Sequence, residues 1–116
     1  MTRVMIFDKI EDEDYTVELV NTIMCELDFE DGYFVMESKT YNILSYAKTF
    51  IETREIFIDS FISSFLFLNQ DGCKMTDKAI ELRDTYRKVV RNIVKKPKSN
   101  IVVRYARALI KAIRGK

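Results

Sequence analysis

The sequence predicts a mostly α-helical fold: one compact domain over residues 1–116, with a small β element near the N-terminus and a basic pair of helices at the C-terminus. An α+β arrangement is the next reading. Three observations lead there. The stretch 56–68, IFIDSFISSFLFL, places Ile58, Phe61, Ile62, Phe65 and Leu68 on one side of a helix, with Phe57 and Leu66 widening the face. Three glycines and one proline in 116 residues leave little material for linkers, so the 47% hydrophobic content belongs to one core. Residues 76–96 carry an apolar seam and a basic ridge, each at helical spacing.

Taken in order, Val4 to Phe7 has the apolar run of a short strand, and Glu11, Asp12, Glu13 and Asp14 follow it. Carboxylates favour a helix N-terminus, so the acidic run predicts a helix whose buried stripe is Val17, Val20, Met24 and Leu27, with Leu19 and Ile23 beside it. Asp31-Gly32 is a turn signal between two apolar runs and predicts a strand or hairpin. Ser38 is then a cap for a helix beginning near Thr40 with Tyr41, Leu44, Ala47 and Ile51 inward, and Thr53 ends it and starts the central helix at 56–68. Asn69 to Gly72 is a stop. Thr76 caps a long helix to about Lys96, with Ala79, Leu82, Tyr86, Val89 and Ile93 as its seam. Pro97 breaks that helix, and Ser99 or Asn100 caps a final one carrying Val102, Tyr105, Ala106, Leu109 and Ile113 on one side.

The net charge of +1 conceals an opposition between the two halves of the chain. Residues 1–72 hold 15 acidic and 5 basic side chains, and residues 73–116 hold 3 and 14. Such asymmetry suits a basic surface for nucleic acid or an anionic membrane, and it suits two halves that attract one another. Within the basic half, Arg83, Arg87, Arg91 and Lys95 recur every four residues, and Arg104, Arg107, Lys111 and Arg114 share a second stripe. Cations so spaced can meet successive phosphates and release counterions, which gives salt-sensitive binding with little reading of sequence. The plain alternative for the same ridge is a solvated helix face. Tyr86 and Tyr105 fall on the apolar seams and so belong to packing rather than base stacking.

The absence of histidine excludes Ser-His-Asp and Cys-His catalysis and the usual zinc-hydrolase ligand sets. Glycines at 32, 72 and 115 cannot form a Walker loop or a dinucleotide fingerprint, and Cys25 and Cys73 make no metal-type cluster, so no cofactor and no metal are expected. Both cysteines read as buried free thiols of a reducing compartment, and the start of the chain lacks the pattern of a secretory signal, so the expected location is cytoplasmic.

Asp31 followed by Glu37-Ser38-Lys39 resembles the Asp and Glu-x-Lys arrangement of the PD-(D/E)xK nucleases. The resemblance implies that the two acidic residues hold a divalent metal and that Lys39 helps position the attacking water. It covers nine residues and lacks a proline before Asp31, so the expectation stays with a protein that is not an enzyme and has no catalytic residues.

The expected function is that of a small nucleic-acid-binding or regulatory protein, with Arg83, Arg87, Arg91, Lys95, Arg104, Arg107 and Lys111 as phosphate contacts. The competing expectation is a protein-interaction module, an inhibitor or adaptor that docks on an oppositely charged protein partner. A second copy of the chain, facing the seam from Ala79 to Ile93, is a further partner to weigh, and a membrane surface ranks below all of these. Abundant Ile, Lys and Phe beside few Gly and Pro is the composition of an AT-rich genome, for which a phage or virus is one source.

Overall fold

The computed structural model describes residues 2–72 and 74–97. Strand outweighs helix within it, 39% against 34%, which overturns the mostly α-helical expectation. A four-stranded antiparallel sheet in the order β1-β4-β5-β6 is built from β1 (Arg3–Phe7), β4 (Ile23–Glu30), β5 (Tyr33–Ser38) and β6 (Ile43–Ala47). A second antiparallel sheet, β2-β3-β7, joins β2 (Ile10–Glu11), β3 (Tyr15–Leu19) and β7 (Val90–Lys95). Two helices complete the fold, α1 (Phe50–Leu68) and α2 (Asp77–Val89).

The helix expected from the acidic run into Leu27 is instead β3 and β4. Val17 is buried in β3, Met24 is exposed on β4 and Val20 is exposed in the connection between them, so the residues assigned to one helical stripe share no face. Ile23, Cys25 and Leu27 face inward at two-residue spacing, as a sheet with one covered face requires. The expected Thr40 helix is β6, where Ile43, Ser45 and Ala47 are buried while Leu44 and Tyr46 stand out. Ser38 caps a turn there, its hydroxyl accepting the Tyr41 N–H at 3.2 Å. The expected long helix ends at Val89, and the chain from Val90 onward pairs with β3. Runs of β-branched residues explain the switch, since Val89-Val90 and Ile93-Val94 suit a pleated ladder better than a helix. The final helix expected after Pro97 lies outside the described residues.

Other expectations stand. β1 covers the Val4 to Phe7 run, and the β4–β5 hairpin turns at Asp31-Gly32 with φ of 52° and 83°, the two left-handed residues of a tight primed turn. The central stretch is helical and is the centre of the core. Phe57, Ile58, Phe61 and Ile62 are buried against the inner face of the four-stranded sheet, with Phe7 stacked on Phe57 at 5.3 Å between ring centroids. Its N-cap is Thr49, four residues before Thr53, with the Thr49 hydroxyl accepting the Glu52 N–H.

Thr53, fully buried one turn into α1, ties the helix to the sheet: its hydroxyl lies 2.8 Å from the Thr49 carbonyl, 3.3 Å from that of Phe34 and 3.4 Å from that of Ala47. Ser45 returns the link by donating to the Thr53 carbonyl at 3.0 Å. Thr76 caps α2 through the Ala79 N–H, and Tyr86 carries the far end of α2 into the core beside Tyr41 and Phe61. With α1 on one face of the larger sheet and α2 packed on α1 and β7, the outward residues of the other face, Val4, Ile6, Met24, Leu44 and Tyr46, stay exposed.

Candidate interaction surface

The outward face follows from strand parity. Register places Val4 and Ile6 of β1 beside Glu26 and Met24 of β4, Glu26 beside Glu37 of β5, and Glu37 beside Leu44 of β6. The next row runs Asp28, Val35, Tyr46. Side chains on successive rows of one face share an environment, so these residues form a continuous surface. Val4, Ile6, Met24, Leu44 and Tyr46 are each about 60% exposed (64, 60, 62, 59 and 62%). In a strand that buries only one face, the outward positions are ordinarily polar, and five apolar side chains exposed across three strands depart from that pattern. Tyr33 extends it at the hairpin end, edge-on to Tyr46 at 6.1 Å.

The polar members of this face are all acidic. Glu26 and Glu37 sit directly opposite each other across β4 and β5, a like-charge pair that costs stability unless a cation lies nearby, and Asp28 and Glu30 follow along β4. No basic residue occupies an outward position on these four strands among the described residues. A shallow depression of about 250 Å³ lies at one end of the face, between Val4, Met24, Glu26 and Glu37, with Lys39 at its rim. Chemically, the surface can accept apolar side chains flanked by cations.

The nuclease-like residues are not brought together. Asp31 occupies the hairpin turn and Glu37 lies near the opposite end of β5, six residues along the strand and so about 20 Å away. Glu37 faces Glu26 instead. No group of three side chains of metal-binding type is found among the described residues.

The basic ridge is divided. Arg83 and Arg87 lie on α2, whereas Arg91 and Lys95 lie on β7, so the four-residue spacing does not trace one helix. Arg87 is engaged: its Nε donates to the Asn69 Oδ1 at 2.6 Å, while Asn69 Nδ2 closes the end of α1 on the Phe65 carbonyl at 2.7 Å. Arg83 is half-buried with its Nε 3.6 Å from an Asp84 carboxylate oxygen. Arg91 and Lys95 are exposed. Arg104, Arg107 and Lys111 lie outside the described residues. The seam from Ala79 to Ile93 is turned into the chain's own core, with Tyr86 fully buried.

Two further electrostatic sites organise the fold. Glu11 is bound by Lys96 at 2.7 Å and Lys9 at 3.2 Å, and the hydrogen bonds from these ammonium groups hold its carboxyl down at about 2. Asp59 on α1 is raised from its ordinary value, first by burial and then by the neighbouring Asp12, Glu55 and Glu13. Burial alone raises the Cys25 thiol to about 11, which leaves it protonated and unreactive at neutral pH. No helix among the described residues is long and apolar enough to cross a membrane.

Comparison with protein-family models, with curated proteins and with solved structures finds no match to this chain.

The sequence signal for the open face was present as two-residue alternation in which both sets of positions were partly apolar. In β6, Ile43-Leu44-Ser45-Tyr46-Ala47 reads as an apolar run, and only the buried hydroxyl of Ser45 and its bond to Thr53 reveal which side is inside.

Proposed function

We propose that the protein is a non-enzymatic interaction module, working in a reducing compartment, that docks on a protein partner through the outward face of its four-stranded sheet. The observation that carries this reading is the presence of five apolar side chains on one sheet face, Val4, Ile6 and Met24 on one side of the Glu26–Glu37 pair and Leu44 and Tyr46 on the other, each about 60% exposed (59 to 64%). Burial of such a patch supplies the hydrophobic drive, and Glu26 and Glu37 supply the selection for a cationic neighbour. The test is a retention comparison in native extract between the wild-type chain and Leu44→Asp with Tyr46→Asp. Outward side chains tolerate a charge without unfolding the protein, which circular dichroism checks. Loss of a specific set of retained proteins with the fold intact is the expected result, and an unchanged set overturns the reading.

A second reading, phosphate contact by the basic half, is favoured by the exposure of Arg91 and Lys95 on β7. Arg91→Gln with Lys95→Gln weakens binding to a labelled random duplex and lowers its salt slope under this reading, by about one unit per contact removed. A wild-type chain that binds neither duplex nor single strand at low salt retires it.

A further inference from the structure

We infer that the partner seated on the outward sheet face is a basic amphipathic helix of another protein, lying along the strands with Lys or Arg over β4 and apolar side chains over β1 and β6; this rests on the reading of that face as a docking surface. The face is striped along the strand direction. Glu26, Asp28 and Glu30 occupy outward positions of β4 at two-residue steps, about 6.7 Å each, and Glu37 of β5 stands beside Glu26. On either side run apolar columns, Val4 and Ile6 on β1 and Leu44 and Tyr46 on β6, three strand spacings or about 14 Å apart. Among the described residues no ion pair reaches these four carboxylates, and Lys39 at the rim of the depression joins none of them.

Charge complementarity decides the chemistry of the occupant. A second copy presenting the same face would set these carboxylates against themselves, and a phosphate-bearing surface would be repelled in the same way. A partner rich in Lys or Arg supplies cations that relieve the repulsion between the opposed Glu26 and Glu37. Dimensions decide its conformation. Helical residues four apart rise by about 6 Å, close to the step of the acidic column, so cations at i, i+4 and i+8 meet Glu26, Asp28 and Glu30 in turn. A helix is about 10 to 12 Å across with its side chains, which lets apolar residues on its two flanks meet both β1 and β6. An extended segment points only alternate side chains at the sheet, in a single line, and cannot meet the acidic column and both apolar columns at once.

The test is fluorescence anisotropy of the full chain with a labelled synthetic helix of about four turns that carries Arg at i, i+4 and i+8 and Leu on both flanks. Saturable binding that weakens with salt is expected, and Glu26→Gln with Glu37→Gln should weaken it by about tenfold. That variant loses a like-charge pair, so its urea midpoint should not fall, which separates a lost contact from a lost fold. Glu26→Lys with Glu37→Lys should narrow the preference for the Arg peptide over one with Glu in place of Arg by about tenfold or more. Changing the Leu flanks to Ser should also weaken binding. No binding by the wild-type chain, equal binding of the Arg and Glu peptides, indifference to the loss of Leu, or self-association in sedimentation that excludes the peptide overturns the inference. The docking reading fails separately. Retention altered by Leu44→Asp with Tyr46→Asp, beside a peptide that does not bind, keeps the docking face and removes the basic helix as its occupant. A peptide preference that follows the charge swap, beside unchanged retention in that variant, supports the basic helix and removes the docking of extract proteins through Leu44 and Tyr46.

Discussion

Replacing Tyr86 by Phe tests the join between α2 and the rest of the molecule. Tyr86 is fully buried, its ring lies 4.8 Å from Phe61 and 5.1 Å from Tyr41, and its hydroxyl donates to the Tyr41 carbonyl at 2.8 Å. Phenylalanine keeps the ring packing and removes only the hydroxyl, so the loss reports the bond to the Tyr41 carbonyl together with the hydrogen bond from Ser64. The Tyr41 carbonyl is left without that donor in an apolar setting, which costs about 1 to 3 kcal/mol. In urea the midpoint should fall with the slope unchanged, because the surface exposed on unfolding is the same.

A second arm uses alkaline pH. Burial pushes the Tyr86 hydroxyl up to about 12, partly offset by a hydrogen bond from Ser64 that favours the ionised form. Raised above its usual value of about 10, this group contributes stability that is complete below pH 10 and is lost as pH rises toward 12. Tyr86→Phe should lack that component and show a flatter loss over the same window. An unchanged midpoint at neutral pH together with an unchanged alkaline profile would refute the placement of this hydroxyl in the core.

Two further outcomes are expected. Glu11→Gln should remove part of the acid sensitivity: the carboxyl is depressed to about 2 in the folded state, so its stabilisation is present above about 4.5 and is lost as pH falls toward 2, and urea midpoints across that range should fall less in the variant than in the wild type. Gly32→Ala should lower stability by about 1 kcal/mol in a thermal or urea melt, because φ is 83° at the hairpin although no heavy atom lies within 4 Å of the added methyl; an unchanged midpoint would argue against a left-handed residue there.

The sequence by itself determined the pieces whose signals are local. Asp31-Gly32 names its own turn because a tight primed hairpin needs two left-handed residues. Thr76 names its cap, and the Phe57 to Leu68 run names a helix because its spacing fits no strand. The charge opposition was equally plain. Only the tertiary structure decided the class of the remainder. Met24, Leu44 and Tyr46 fill outward positions where a half-buried strand ordinarily shows polar residues, and in doing so they erase the alternation by which β4 and β6 would be recognised. Val17, Val20, Met24 and Leu27 therefore mimic a helical stripe, although Val17 is paired with β7 and Met24 and Leu27 with β1, and these ladders hold them extended. Periodicity reports burial, and where a sheet carries apolar side chains on both faces, pairing with distant strands sets the backbone conformation. Met24, Leu44 and Tyr46, which concealed two strands of the sheet from the sequence, are among the side chains the fold leaves facing outward.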